Sequence, residues 1–465
     1  LFNWKSDDGA SVRGIRIPIQ YSQSCAATAD DIENVVRSSA TDGFAPGFNN
    51  GAMWFGVGNH GGGPTREHIE RIIQLQADGS LPEIRFSTVR EFVAAVRAEA
   101  AYDKLPVINK ELQFVFRGCY AATADTKRQN RLSEKKLFAA ESLVSMAGME
   151  TDLHEAWWQL GCNQFHDILA GTCVHSTQEQ IRDSFGKILT AAEEHIERAA
   201  FRIARTVDTR HEPGSVLTVV NPYPKMRLAT IELDTFKQPH GREEIVGFED
   251  TDGTQYPVQW TQADANFGPW GLPWAKMTAT LPVPACGHQT FKVLMANTGE
   301  AFENPFSGEE NAATEQFRKT ERSASRVIKG EVVPAFATLK TALGTNLLAG
   351  SPKFLIIDDP SSTWGHGVKA YNRILAELEF TSVEKIISGE VLSVTRHRAG
   401  WDQSEMLLDV REHHVSGLIE LHLRFNWQQQ RQMLKLAFPT TLENTATVAL
   451  NTGSIVCRPA DGSEY

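Results

Sequence analysis

STQEQIRDSFGKILTAAEEHIERAAFRIARTV, residues 176–207, is a long amphipathic run at helical period, and it decides the reading of the middle of the chain. A helix of that length with one apolar face needs partners of the same kind. They lie just upstream. In DTKRQNRLSEKKLFAAESLVSMAG, residues 125–148, the apolar positions Leu132, Leu137, Ala140, Leu143 and Val144 recur near the helical period. A further helical pattern runs from Asp152 through NQFHD, and Thr88 with Glu91 forms a capping box ahead of FVAAVRAEAAY. Antiparallel packing on these faces predicts a helical bundle over residues 87–210.

On the N-terminal side, residues 1–86 alternate between strand-like and helical patterns. SVRGIRIPIQY, GAMWFGV and EIRFS read as strands. TADDIENVVRSSATDG and PTREHIERIIQLQADG read as helices, the second running from Pro64 to Gly79. That order predicts the tail of an α/β domain with a parallel sheet. On the C-terminal side, residues 211–465 change character. Short runs such as SVLTVVNPYP, LATIELDTF, KFLIIDDP, EMLLDVREH and LIELHLRFNW are spaced by Gly, Pro, Asn and Asp, which predicts β-sandwich-like domains. Residues 297–329 are polar and read as an exposed connection. The expected fold class is therefore multidomain: α/β, then α, then β.

Composition narrows the function. Apolar residues make up 41% and charged residues 22% of the 465, as in ordinary globular proteins. No apolar run reaches the roughly 18 residues of a membrane span. A net charge of −11 offers no basic stripe, which argues against a nucleic-acid partner. The six cysteines (Cys25, Cys119, Cys162, Cys173, Cys286 and Cys457) form no C-x-x-C pair, which suggests a reducing, cytoplasmic compartment. A homo-oligomer is compatible with the sequence but not specified by it.

Three segments could carry chemistry. In LGCNQFHDILAGT, residues 160–172, His166 and Asp167 stand between Phe165, Ile168 and Leu169. An imidazole there could bind a divalent metal, with the adjacent carboxylate holding a sugar hydroxyl. Equally, the pair could cap a helix end. In WFGVGNHGGGPT, residues 54–65, Gly56, Gly58 and Gly61 satisfy G-x-G-x-x-G, with Asp78 near the distance of a ribose-binding acid. Against dinucleotide binding, Gly62, Gly63 and Pro64 delay the helix, and Asp78 falls in a turn. The same loop could pass close to a ligand, with Asn59 and His60 offering polar groups, or be a tight strand-to-helix turn. In DDPSSTWGHGV, residues 358–368, Trp364 and His366 suit a pyranose ring as well as a packed strand end.

Together these segments resemble glycoside hydrolase family 38, the metal-dependent retaining α-mannosidases, in the family's order over nearly the whole chain. FNWKSDDGASV resembles a strand of the catalytic domain, and GVGNHGGGPT the glycine-rich loop of bacterial-type members. KELQFVFRGCYAATADTKRQNRLSEKKLFAAE resembles the "GEL…RGCY…K-x-x-NR-x-x-E…AE" lead-in to the bundle, and NQFHDILAGT the signature NQFHDILPGT. VVNPYP, DDPSSTWGHGV and VCRPADGSE resemble later segments of the family.

The resemblance implies hydrolysis of terminal α-mannosidic linkages through a glycosyl-enzyme, with an α-mannoside or mannose-containing oligosaccharide as ligand. It implies zinc or another divalent cation, with His166 as one ligand and Asp167 as a contact to the mannose hydroxyls. Asn59, Trp364 and His366 are implied sugar contacts, and His60 is a candidate acid/base where animal members carry an Asp. Residues 1–86 become the C-terminal part of a catalytic domain.

The chain also departs from the pattern. It contains no H-x-D motif and no segment like the nucleophile's surroundings, so those parts are expected upstream of Leu1. The chain is then an internal fragment, inactive alone. The alternative is a degenerate, non-catalytic carbohydrate-binding relative. Ala170 for Pro and Ser362 for Asp are smaller departures.

Overall fold

The computed structural model describes residues 1–6, 8–16, 29–42, 44–57, 62–109, 112, 122–210, 214–236, 244–267, 273–296, 339–340, 344–368, 370–378, 380–443, 446–451 and 454–458. They form two compact units, one of residues 1–113 with 444–461 and one of residues 114–443. The first unit thus extends past residue 86, where the sequence pattern suggests a boundary. Asn297 through Lys329 lies outside the described residues.

In the first unit β1 (Phe2–Lys5) pairs antiparallel with β2 (Ser11–Gly14). The helices are α1 (Ala29–Asp42), α2 (Arg66–Asp78) and α3 (Val89–Arg97). β3 (Val107–Ile108) lies parallel to β1 on its other side, Asn3 opposite Val107. Helix ends follow the chain's punctuation. Thr65 caps α2, which stops at Gly79 in the left-handed region with φ 66°. Thr88 and Glu91 exchange the two bonds of a capping box at α3. Ile32 and Val36 of α1 pack on Ile72 and Leu75 of α2.

Two expected strands are not strands. Residues 51–55 of GAMWFGV and residues 83–87 of EIRFS are irregular. Their apolar residues Met53, Phe55 and Ile84 fill the α1–α2 core instead. The Ile84 carbonyl accepts from Gln76 Nε2 at 2.7 Å rather than from a ladder partner. Burial, not pairing, explains these apolar runs.

The second unit opens with four helices: α4 (Ala124–Met146), α5 (His154–Asn163), the single turn α6 (His166–Leu169) and α7 (His175–Ala204). Leu137 and Ala140 of α4, Leu160 of α5 and Ile181, Phe185 and Ile188 of α7 share one core. The far ends of α4 and α7 share a second core with Val220.

Next come β4 (Val216–Asn221), β5 (Arg227–Phe236), β6 (Glu244–Glu249), β7 (Gln255–Pro257), β8 (Gln259–Phe267), β9 (Pro273–Val283) and β10 (Gly287–Ala296). Sheets β4-β10-β6-β7 and β5-β9-β8 enclose a core around Phe248, Leu281 and Phe291. They are followed by β11 (Lys353–Asp358), β12 (Ile374–Leu378), β13 (Phe380–Ile387), β14 (Leu392–Trp401), β15 (Ser404–His413), β16 (Ile419–Asn426) and β17 (Gln432–Ala437). Sheets β12-β11-β17 and β13-β14-β15-β16 share a core around Phe354, Ile356 and Leu408. All pairings in these four sheets are antiparallel. The hairpin β18 (Thr447–Asn451) and β19 (Ser454–Arg458) belongs to the first unit.

The outer face of β14–β16 carries charge. Asp409 accepts from Arg396 at 2.7 and 2.8 Å and from Arg424 at 3.0 Å. Gln259 joins the two β parts: its Oε1 accepts from the Val391 and Leu392 amides at 2.9 and 2.8 Å, and its Nε2 donates to the Leu392 carbonyl at 2.8 Å.

Candidate functional site

The segment singled out by sequence, residues 160–172, is a helix–turn–helix junction in the bundle. Helix α5 buries Ala156 and Leu160, and its last residue Asn163 is buried with its amide donating to Ser184 Oγ of α7 at 3.0 Å. Gln164 ends the helix. Its side-chain Nε2 donates back to α4, to Asn130 Oδ1 at 3.2 Å and Glu134 Oε1 at 3.1 Å. Asn130 Nδ2 donates to the same Glu134 oxygen at 3.1 Å, and Arg131 pairs with Glu134 Oε2 at 2.8 Å. The end of α5 is therefore tied on both sides before the chain turns.

At Phe165 the backbone leaves the helical region, with φ −52° and ψ 140°, and α6 restarts at His166. His166 and Asp167 point outward: their side chains are 74% and 37% exposed, with Nε2 and Oδ2 3.4 Å apart. The Phe165 ring lies 4.1 Å from the imidazole, centroid to centroid. Ile168 packs on the bundle core and Ala170 is buried, so these two anchor the turn while the polar pair and Phe165 face water.

The turn closes on Asp167. Its carbonyl accepts from the amides of Thr172 at 2.9 Å and Cys173 at 3.0 Å, and its Oδ1 accepts from Thr172 Oγ1 at 2.9 Å. One carboxylate oxygen is thus fixed. Gly171 makes this closure possible. Its φ is +80°, and a Cβ there would sit 2.7 Å from Thr123 Oγ1. Among the described residues the side chains of His166 and Asp167 cap no backbone group: Asp167 Oδ1 accepts from Thr172 Oγ1, and the backbone bonds at the end of α5 and around α6 come from backbone amides.

Sequence reading missed Asn130, Glu134, Gln164 and Thr172. The first two stand four apart in the NR-x-x-E stretch, a spacing that puts them on one helix face.

Trp364 and His366 occupy the loop after β11, with ring centroids 6.4 Å apart. Gly365 and Gly367 adopt φ 64° and 75°, which folds the loop back so that both rings lie on one short segment. Burial pushes the carboxyl of Asp359, at the head of this loop, above its ordinary value.

Asn59 and His60 lie outside the described residues, as do Gly58 and Gly61. The flanks of their loop are described. The Val57 amide donates to the Gly63 carbonyl at 3.1 Å, and a Cβ on Gly56 would meet the Gly62 carbonyl oxygen at 2.8 Å. Gly56 thus permits two arms of the loop to touch. Asp78 ends α2, receives a bond from Ser80 Oγ at 2.5 Å and lies 3.8 Å from Arg37. It is not at a strand end, so the dinucleotide reading loses its acid.

Among the described residues no group of three or more His, Cys, Asp or Glu side chains could hold a metal ion. A catalytic zinc takes three protein donors and a structural one takes four. His166 with its neighbouring carboxylate falls short of both. These residues alone do not fit a zinc.

Comparison with known proteins gives matches in both units. Residues 1–111 match the glycosyl hydrolases family 38 N-terminal domain, and residues 115–203 match the alpha mannosidase middle domain. The chain is 32% identical over 213 residues to alpha-mannosidase G of Dictyostelium discoideum, covering 44% of this chain and 19% of that protein. It is 27% identical over 242 residues to human alpha-mannosidase 2C1, covering 50% of this chain and 22% of that protein. The chain thus matches about a fifth of the length of these relatives. An alpha-mannosidase from Enterococcus faecalis V583 superposes with a TM-score of 0.67 over 99% of this chain and 60% of that one, at 16% identity, which shows a shared fold. Among the described residues no helix is long and apolar enough to cross a membrane.

Proposed function

The chain belongs to glycoside hydrolase family 38, and from that premise we propose that it is part of an α-mannosidase that removes terminal α-linked mannose, with the turn of residues 163–172 as its share of the active site. The observation that carries this is the construction of that turn. An imidazole and a carboxylate stand exposed side by side on a backbone tied to both neighbouring helices. Solvent-facing polar groups on a rigid support are what ligand binding requires.

Asp167 binds substrate in this reading. Thr172 occupies Oδ1, and Oδ2 is left to accept from sugar hydroxyls. His166 serves as one ligand of a zinc or other divalent ion, whose further donors come from beyond the described residues. When bound, such an ion supplies an electrostatic grip on sugar hydroxyls. Retaining hydrolysis takes a nucleophilic carboxylate and a separate acid/base. His60 is our candidate for the second role, with Asn59, Trp364 and His366 as sugar contacts. The sequence holds no H-x-D motif, so this chain by itself is expected to be inactive. We read residues 1–86 as the end of an α/β catalytic domain, 87–210 as the helical bundle and 211–465 as β-sandwich-like domains. Cys162, Cys173 and Cys286 as free thiols favour a cytoplasmic location.

The competing reading is a non-catalytic carbohydrate-binding relative, which agrees with there being no group of three metal donors among the described residues. Hydrolysis of 4-nitrophenyl α-mannoside separates the two. The polypeptide that completes the catalytic domain, joined to this chain, should release the sugar with its anomeric configuration retained, while the chain alone leaves it intact. A completed protein that binds mannose but never cleaves the aryl mannoside rules out the hydrolase.

A further inference from the structure

Glu134 sits on α4, thirty residues upstream of the turn in sequence, yet it is the acceptor on which the end of α5 rests. Its Oε1 takes two hydrogen bonds, from Asn130 Nδ2 and Gln164 Nε2, each 3.1 Å. Its Oε2 pairs with Arg131 Nη1 at 2.8 Å. Gln164 Nε2 completes a ring by donating also to Asn130 Oδ1 at 3.2 Å. A carboxylate acceptor makes a shorter, stronger bond than a neutral one. The Glu134 side chain is 24% exposed, so water screens it only in part.

The position of this ring in the chain gives it a role. Gln164 is the residue where α5 stops, two before His166. The His166 imidazole is mostly in solvent, with the Phe165 ring and Asp167 beside it, so the backbone beneath sets where the side chain starts and which neighbours it meets. That backbone is pinned from α7 through Asn163 and from α4 through Gln164. The Asn163 bond fixes the last helical turn, and the Gln164 bond fixes the residue at which the chain departs from it.

We infer that Glu134 is a positioning residue: acting through Gln164, it sets the exit angle of the turn and so the orientation of His166 and Asp167. Its catalytic consequence rests on the α-mannosidase reading above; its effect on the turn does not. An ordinary surface ion pair between Glu134 and Arg131 would contribute little and would leave the turn unmoved.

The test is a charge swap with two readouts. Gln164→Glu sets two carboxylates against each other, and Gln164→Glu with Glu134→Gln restores one donor and one acceptor in reversed places. In the completed enzyme, Gln164→Glu should lower kcat/KM on 4-nitrophenyl α-mannoside on the order of tenfold, because a small misplacement of His166 and Asp167 costs both grip and rate. The double variant should recover most of that loss. The second readout needs no activity. The ring resonance of His166 in histidine-labelled chain, identified by its loss in His166→Ala, should shift or broaden in Gln164→Glu and return in the double variant. His195 on α7, whose Nδ1 lies 2.8 Å from the Ala191 carbonyl, should stay put. A completed wild-type enzyme without mannosidase activity defeats the functional reading, and the resonance still decides the role of Glu134. An unmoved His166 resonance in Gln164→Glu, or a double variant no better than the single one, overturns the inference.

Discussion

Gly171→Ala should be among the most damaging single-methyl changes in the bundle, and the structure says why. The residue has φ +80°, a conformation that costs an L-residue about 1–2 kcal/mol. The added Cβ would also lie 2.7 Å from Thr123 Oγ1, 2.9 Å from Thr123 Cβ and 3.1 Å from the Ala122 carbonyl oxygen. Neither side yields easily, since Thr123 is itself left-handed with φ 50° at the start of α4. Overpacking of this kind costs about 1–3 kcal/mol, so a total near 3 kcal/mol is expected. Urea denaturation followed by far-ultraviolet circular dichroism reads it as a lowered midpoint with unchanged slope. Gly161→Ala is the control. It lies inside α5 with nothing within 4 Å of its Cβ, and should stabilise by up to about 1 kcal/mol. Thr123→Gly removes the obstructing atoms, and its own loss should be small because Thr123 makes no side-chain cap bond. Added to Gly171→Ala, it should return the steric part and leave the left-handed cost, a non-additivity expected of residues in contact. A Gly171→Ala protein as stable as wild type, or a double variant no better than the single, would refute the packing argument for this turn.

Three further outcomes follow from the same geometry. Thr172→Val removes the 2.9 Å bond to Asp167 Oδ1 and should cost about 1 kcal/mol of stability while raising KM for an aryl mannoside in the completed enzyme. Equal KM would remove Thr172 from the site. Burial pushes the Asp409 carboxyl up, but the bonds and charge of Arg396, with Arg424, outweigh it and hold the group below its ordinary 3.8. Its contribution is therefore present above the unfolded value and lost as pH falls through the lower folded one. Asp409→Asn should destabilise by about 2–3 kcal/mol at neutral pH, a gap that closes on acidification below the ordinary value. A gap independent of pH contradicts the assignment. Gln259→Ala strips three bonds from the backbone at Val391 and Leu392 and should cost about 2–4 kcal/mol, read as a lowered melting temperature of the β part.

The helices of this fold were legible because their signals are local. Thr88 with Glu91, Gly79 at a helix end and the period of Leu137, Ala140, Leu143 and Val144 each act within a turn or two. GAMWFGV and EIRFS carry a strand-like pattern without forming strands because an apolar run reports burial, and Met53, Phe55 and Ile84 are half-buried against helices without joining a ladder. At the site, His166 and Asp167 stood out by residue type, but their supports did not. Glu134 and Gln164 meet across thirty positions, and Thr172 acts through an ordinary turn bond. No local pattern encodes such contacts. No local signal marks Gly171, and only the approach of Thr123 shows that a side chain there is excluded.

The account stands or falls on the imidazole of residue 166. Metal analysis and mannosidase assay of the completed enzyme, wild type beside His166→Ala, test it most directly. A stoichiometric divalent ion and active turnover in the first, with both lost in a folded second, is the expected result. Undiminished metal content and rate in His166→Ala would contradict it.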